Sequence, residues 1–475
     1  MQRKTKIIAT LGPAVGSREA ISHLVAAGMD VARLNFSHGD HETHARWLGW
    51  VRQAAEEQGR VVAVLQDIQG PRIRVGTFPG RAVELRTGAR VTLLDGEGEG
   101  SARRIFVQHL DAADLGRGDR VLLSDGLIEV RVTRRVAGGV AAEVTQGGRL
   151  GDHKGAAFPG ARLGLPVVTA KDRIDLAFGR EIGVDLVAAS FVVSPEDIAA
   201  VRSVAGDVPV IAKIERGAAL ENLGAILAAA DGAMVARGDL GVEIGYEPLP
   251  RIQREILAAA NAAGRISITA TEMLESMTSS PRPTRAEVTD VANAVMDGTD
   301  AVMLSAETAV GEYPIRAVHA MAAICEEAER GPARDARPAY VGAPGSFASA
   351  IAGAAVEAAG DLGLGLVVAF TETGATARLV SKYRPAASIL ALTPRRETLR
   401  RMAVLWGVTP VLLPRRASTD SMIRTADRIL VERGLAAPGD RVAMAAGAPP
   451  GQDLATNLLK LHVVGEASGG LKGRG

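Results

Sequence analysis

With a single cysteine, Cys325, in 475 residues, the chain has no means of forming an intramolecular disulfide framework or a multi-cysteine zinc site. Aromatic residues are only 3%, so apolar burial rests on Ala, Val, Leu and Ile. Neither sign of charge dominates. The 55 Lys and Arg against 54 Asp and Glu leave a formal net charge of +1, and no global basic field recommends a nucleic acid or an anionic membrane as partner. No apolar run approaches the roughly 18–20 residues that span a bilayer. Behind the basic start, residues 7–11 are too short for a signal-peptide core. What is present is ample material for a core: 47% hydrophobic and 23% charged residues exclude whole-chain disorder. The length suggests two to four domains, and the expectation is a soluble, cytoplasmic, multidomain protein.

Short runs rich in β-branched residues alternate with longer Ala-rich amphipathic stretches. Residues 6–11, 30–36, 61–67, 186–190, 210–214, 232–236, 266–271 and 301–305 read as buried strands. Helical patterns lie between most of them, at 18–27, 41–57, 196–204, 218–229 and 252–263. Such alternation implies parallel strands joined by right-handed crossovers, and eight of them fit a (β/α)8 TIM barrel. An open doubly wound sheet shows the same alternation, so strand number alone does not decide. Between Gly70 and Gly164 the pattern turns to short strands and Gly-rich turns, which reads as an inserted β domain. A second boundary falls at 330–346, where Gly331-Pro332, Arg337-Pro338 and Ala343-Pro344-Gly345 cluster. Strands at 366–370, 389–393, 408–413 and 441–445 then make a further α/β domain, with a Gly- and Lys-rich tail at 468–475 expected to fray. The expected division is a barrel of residues 1–70 and 164–335, an inserted β domain of 71–163, and a C-terminal α/β domain of 340–475.

Polar residues gather just past the strands. The second strand runs into Arg33-Leu34-Asn35-Phe36-Ser37-His38-Gly39, and the third ends at Asp67, followed by Ile68-Gln69-Gly70-Pro71-Arg72-Ile73-Arg74. The fifth supplies Lys213-Ile214-Glu215, the sixth Arg237-Gly238-Asp239, the seventh Thr271-Glu272 and the eighth Ser305-Ala306-Glu307. Residues two apart in a strand share a face, which aligns Lys213 with Glu215 and Arg33 with Asn35. Two acids, Glu215 and Asp239, interleaved with Arg33, Arg74 and Lys213 suit a hard divalent ion shared with a phosphorylated anion. Phosphoryl transfer needs such cations, because it is driven by positioning and charge stabilisation. No Walker-type Gly-x4-Gly-Lys-Ser/Thr and no complete dinucleotide fingerprint occurs. His38, His41 and His44 are read as structural rather than metal-ligating, the two Arg-Gly-Asp tripeptides as chance, and Cys325 as a core residue of a helix over 317–329.

Together these motifs resemble the pyruvate kinase family. The resemblance is carried by Lys4-Thr5-Lys6-Ile7-Ile8-Ala9-Thr10-Leu11-Gly12-Pro13, residues 33–39, Lys213-Ile214-Glu215, residues 234–241 and 271–277, Pro281-Arg282-Pro283-Thr284-Arg285-Ala286-Glu287, and Met303-Leu304-Ser305-Ala306-Glu307-Thr308-Ala309, in order along the chain. It implies transfer of a phosphoryl group from phosphoenolpyruvate to ADP, giving pyruvate and ATP. It also implies roles by matching position: Glu215 and Asp239 as ligands of Mg2+ or Mn2+, Lys213 as the stabiliser of the moving phosphoryl group, and Arg33 as a grip on the substrate phosphate. Gly238, Asp239 and Thr271 would lie at the substrate, with Thr271 in the relay that protonates the enolate at carbon 3. Asn35, Ser37, His38, Arg74 and Lys154 would serve the nucleotide. A monovalent-cation pocket would comprise Asn35, Ser37, Asp67 and Ile68.

Three departures qualify the match. Arg72 stands where a glutamate accompanies dependence on K+, and a tethered cation there implies independence of K+. Glu272 replaces a common glutamine and adds a carboxylate near the metal. The chain is also expected to lack the extra C-terminal domain of some bacterial relatives. Thr371, Thr373, Gly374 and Thr376, between a strand and a helix, match the loop that holds a phosphorylated effector, a sugar phosphate or AMP. The resemblance further implies a homotetramer. Two alternatives stay open: a Mg2+-dependent barrel lyase or aldolase on an oxoacid, and a metabolite-sensing relative with impaired turnover.

Overall fold

A computed structural model of the chain describes residues 3–161, 163–330, 345–449 and 455–466. Strands β1 (Lys6–Thr10), β2 (Val31–Asn35) and β3 (Ala63–Asp67) come first. After them lie β4 (Ala82–Leu85), β5 (Arg90–Asp95), β6 (Arg104–Val107), β7 (Arg120–Leu123), β8 (Ile128–Val136), β9 (Gly139–Gln146), β10 (Gly148–Gly151) and β11 (Ala156–Ala157). The chain then returns through β12 (Leu186–Ala189), β13 (Val210–Ile214), β14 (Gly232–Ala236), β15 (Ile266–Ala270) and β16 (Ala301–Leu304). β1–β3 and β12–β16 close into one barrel in which every neighbouring pair is parallel.

The barrel strands read as near-continuous apolar runs because both of their faces are covered. Alternate residues go to different layers. Ile7 and Ala9 pack with Ile21, Leu24 and Trp47 of the surrounding helices. Ile8, Val31, Leu65, Ile211 and Met303 form the other layer, as the two-residue period of a strand requires. The helices begin where the sequence offers caps. Thr169, Ser194 and Thr284 each form a reciprocal capping box, with Asp172, Asp197 and Glu287, ahead of Ala170–Ile182, Pro195–Ala205 and Arg285–Met296.

The inserted region forms a two-stranded sheet, β10-β4, and a six-stranded sheet, β11-β7-β8-β9-β5-β6, around a core of its own. It enters and leaves at the C-terminal ends of the barrel strands. The C-terminal α/β domain carries β17 (Leu366–Phe370), β18 (Ser388–Thr393), β19 (Val408–Leu412), β20 (Arg441–Ala446) and β21 (Leu458–Val463), ordered β19-β18-β17-β20-β21. It docks on the opposite, N-terminal ends of the barrel, where Lys4 precedes β1, Asp185 precedes β12 and Asp300 precedes β16. The Lys4 ammonium donates to the carbonyls of Pro385 and Ala386, Arg400 reaches Asp185, and Arg384 reaches Asp300.

Local differences from the sequence reading have physical causes. The helix expected over 218–229 is two, Gly217–Glu221 and Leu223–Ala229, parted at Asn222, whose side-chain amide donates to the Val193 carbonyl. Residues 237–244, read only as a strand end, form a helix, Arg237–Ile244. β21 lacked a recognisable strand signal; it pairs antiparallel with β20 at the sheet edge. Cys325 is fully buried in helix Pro314–Ala328, and burial pushes its thiol up to about 12, which makes it inert. Residues 331–344 of the expected second boundary and the tail 468–475 lie outside the described residues. Among the described residues no helix is long and apolar enough to cross a membrane.

Candidate active site

Three strand ends converge on one ammonium group. Lys213, in β13, donates to Ser190 Oγ just past β12 at 2.7 Å and pairs with Glu215 Oε1 at 2.8 Å and Asp67 Oδ1 at 3.3 Å. Asp67 in turn accepts from Arg33 Nε of β2 at 2.7 Å, and Arg33 Nη1 donates to Thr10 Oγ1 at 2.9 Å. Parallel strands of a barrel bring their C-terminal ends to one rim, so residues far apart in the chain meet there.

Burial and charge oppose each other in this cluster. Burial alone lowers the Lys213 ammonium pKa, but Asp67 and Glu215 overcome it and hold it above its ordinary value. Burial raises the Asp67 carboxyl, yet Lys213 and Arg33 pull it below its ordinary value. Glu215 resolves the other way. Burial, with the like charge of Asp239 adding to it, pushes Glu215 up to about 7 despite Lys213 and a hydrogen bond from the Phe191 N–H at 2.7 Å.

Glu215 and Asp239 line a cavity of about 460 Å³ between barrel and inserted region, which Arg72, Arg74 and Lys154 also line. Arg74 Nη1 donates to the His153 carbonyl at 3.0 Å. Arg33, Lys213, Gly238 and Thr271 are beside this cavity rather than among its lining residues: Lys213 adjoins it through Glu215, and Gly238 precedes Asp239. Gly238 N–H donates to Thr271 Oγ1 at 2.8 Å, and Thr271 Oγ1 donates to the Ala270 carbonyl at 2.7 Å. Thr271 and Glu272 both take the left-handed conformation, with φ of 64° and 52°, a costly choice for side-chain-bearing residues. The buried Arg237 guanidinium holds them there by donating to both carbonyls, at 2.7 and 2.9 Å, and pairing with Asp290 at 2.6 Å. Glu272 is not among the lining residues; its charge bears on Tyr246 and Glu275.

The remaining residues proposed from sequence fall into two places. At the end of β2, Asn35 Oδ1 accepts from the Ser37 N–H at 3.1 Å, and the His38 imidazole is lowered by burial and by the charges of Arg72, Arg74 and Arg33. Three guanidinium groups thus bear on this corner. The Ile68 carbonyl accepts from Ser190 Oγ at 2.8 Å. His41 pairs with Asp175 at 2.8 Å, and His44 stacks on Phe36 with ring centroids 4.1 Å apart, so both have structural partners. In the C-terminal domain, Thr371, Thr373 and Thr376 line a second cavity, about 260 Å³, with Arg415 and Arg416. Gly374, φ 90°, caps helix Ala375–Lys382, and its N–H donates to Thr371 Oγ1 at 2.8 Å.

Ser190, Thr10 and Arg237 were missed. Ser190 had a readable signal, since it directly follows the fourth barrel strand, the first strand end past β1 from which no polar residue was chosen. Arg237 was passed over as part of a chance tripeptide, and nothing local announces that its guanidinium folds back onto residues 271 and 272.

Comparison with known proteins agrees with this geometry. A family model described as pyruvate kinase, barrel domain, matches residues 2–318, and one described as pyruvate kinase, alpha/beta domain, matches residues 349–462. The pyruvate kinase of Geobacillus stearothermophilus is 43% identical over 476 residues, covering 98% of this chain and 81% of its own length. That of Staphylococcus aureus strain USA300 is 42% identical over 486 residues, covering 100% and 83%. A solved pyruvate kinase structure from Cryptosporidium parvum superposes with a TM-score of 0.92 at 36% identity, covering 98% of this chain and 96% of that one. With a charged rim on a closed barrel, an inserted β region and an α/β domain all in the matching order, the chain belongs to the pyruvate kinase family and is a phosphotransferase.

Proposed function

We propose that the cleft between barrel and inserted region transfers the phosphoryl group of phosphoenolpyruvate to ADP, with Mg2+ or Mn2+ held by Glu215 and Asp239. The observation that carries this reading is a pinned, fully charged Lys213 paired with Glu215, which together with Asp239 faces a cavity rimmed by Arg72, Arg74 and Lys154. The donor set fits the ion. Two carboxyl groups open onto one cavity, and burial together with the charge of Asp239 pushes Glu215 up to about 7. That suits Mg2+, which takes one or two carboxylates and fills its octahedron with water and phosphate oxygens. When bound, the ion supplies positive charge to the enolate and phosphate oxygens. Arg33 and Lys213 grip and steady the moving phosphoryl group, Arg74 and Lys154 meet the nucleotide, and Gly238 and Thr271 lie at the substrate, with Thr271 in the relay that protonates the enolate at carbon 3.

Arg72 stands in for a monovalent cation in the corner of Asn35, Ser37, Asp67 and Ile68, so turnover is independent of K+. Its charge depresses His38, which supports a tethered cation serving this corner. In K+-free buffer with a tetraalkylammonium counter-ion turnover stays near its full value; a large stimulation by K+ refutes the assignment. The second cavity takes a sugar phosphate or AMP and activates by lowering the substrate concentration at half-saturation. Replacing Thr371, Thr373 and Thr376 with alanine abolishes that response. The functional division is barrel 1–70 and 164–335, lid 71–163 and regulatory domain 340–475, assembled as a cytoplasmic homotetramer, a state checked by light scattering. The decisive assay is pyruvate formation from phosphoenolpyruvate, coupled to lactate dehydrogenase, with ADP and divalent ion each withheld in turn. Product without ADP overturns the reading.

A further inference from the structure

Ser190 is 2% exposed and stands between two groups that leave its hydroxyl no choice of direction. A serine hydroxyl has one proton and two lone pairs. The Ile68 carbonyl, 2.8 Å away, only accepts, and the Lys213 ammonium, 2.7 Å away, only donates. The hydroxyl proton therefore goes to Ile68, and a lone pair receives Lys213. Lys213 in turn has three N–H groups and three acceptors: Ser190, Glu215 and Asp67. Two of these acceptors are carboxylates. Glu215 is assigned above to the divalent ion, and Asp67 is shared with Arg33. Ser190 is the neutral acceptor of the three. It fixes the nitrogen without cancelling its charge, which leaves that charge for the phosphoryl group.

The support of Ser190 is itself built. Gly70, at φ 67°, presses against it so closely that a Cβ there would meet Ser190 Cβ at 3.0 Å and the Phe191 ring at 2.9 Å. Phe191, at φ 58°, turns its N–H onto Glu215 Oε2. One dipeptide after β12 thus holds the ammonium by its hydroxyl and the neighbouring acid by its backbone. We propose that Ser190 is a positioning residue for Lys213, keeping its ammonium aimed at the transferred phosphoryl group when the divalent ion occupies Glu215. The inference rests on the reading that Lys213 serves phosphoryl transfer.

The test is a double-mutant cycle on the full chain, reading pyruvate formation for Ser190→Ala and Lys213→Met, singly and together. Ser190→Ala lowers kcat about 10- to 100-fold, the range that misplacing a reacting group brings, while KM for phosphoenolpyruvate stays within about twofold. Added to Lys213→Met it brings no further loss, because the group it positions is already gone. Ser190→Cys, which keeps the volume and a weak acceptor, falls between wild type and alanine, and replaces alanine in the cycle should that variant misfold. Unchanged kcat in Ser190→Ala, or losses that multiply in the double variant, overturns the proposal. Full activity of Lys213→Met would strike the role of Lys213 and this inference with it. A normal loss in Lys213→Met with none in Ser190→Ala would strike this inference alone.

Discussion

The two ends of the barrel carry charged clusters built from the same residue types, yet they behave differently. At the N-terminal end, Lys382 donates to Asp300 Oδ2 at 2.5 Å and Asn261 Oδ1 at 2.7 Å, and Arg384 donates to Asp300 Oδ1 at 2.7 Å. The Ser267 N–H adds a bond to Asp300 at 2.8 Å, and the Arg384 guanidinium lies over the Trp406 ring, 4.5 Å from its centre. Here one acid meets two cations, neither cavity reaches the cluster, and burial pushes Lys382 down to about 8 while those cations hold Asp300 below its ordinary value against burial. At the C-terminal end the balance reverses. Glu215 and Asp239 face a cavity, and burial with the like charge of Asp239 pushes Glu215 up to about 7 despite Lys213. A cluster that fastens domains is closed in the folded chain; a cluster that does chemistry is left for its ligands to complete.

That contrast predicts that matched substitutions have crossed effects. The largest is Lys213→Met, which lowers kcat by about 10²–10³, the cost of removing one preorganised charge stabiliser. Its melting temperature moves little, because Asp67 keeps Arg33 and Glu215 relieves its charge by taking a proton. Steady-state rates and calorimetry on one preparation check both halves; a collapse of stability would erase the distinction between the two ends. Next comes Lys382→Met, which leaves Asp300 with Arg384 as its remaining cation. Removing one partner of a buried pair costs about 3–5 kcal/mol, and Arg384 keeps the loss at the low end. Unfolding shifts to lower denaturant concentration, while kcat per folded molecule stays near wild type. A loss of kcat instead would show that the joint reaches the catalytic rim.

The smallest effect sharpens the comparison through pH. Glu215 is raised from an ordinary 4.5 to about 7, so between those values the folded chain holds a proton that the unfolded chain has released. The stabilisation is complete below 4.5 and is lost as pH rises through 7. Glu215→Gln carries no such charge. In metal-free protein its melting temperature, relative to wild type, therefore climbs from pH 5 to pH 8. A difference that stays flat would mean that Glu215 is ionised throughout.

Most of the architecture could be read locally. Five-residue apolar runs separated by capped amphipathic helices pointed to the parallel strands, and the loss of helical period after Gly70 marked the inserted sheets. The break at Asn222 and the edge strand β21 escaped notice, because one depends on a bond to the distant Val193 carbonyl and the other on pairing with β20. The site divides in the same way. Lys213, Glu215, Asp239 and Arg33 stood in motifs at strand ends, whereas Ser190 and Arg237 act on groups brought beside them by barrel closure.

The amino-acid order by itself determined the alternation of strand and helix, the place of the insertion and the side chains at the rim, since periodicity and capping are properties of neighbouring residues. Only the tertiary structure decided that Asp67 is shared between Arg33 and Lys213, that the Ser190 hydroxyl points at Ile68, and that Lys382 locks onto Asp300. Those choices depend on distances between segments far apart in the chain, and such distances exist only once the barrel has closed and the C-terminal domain has docked beneath it.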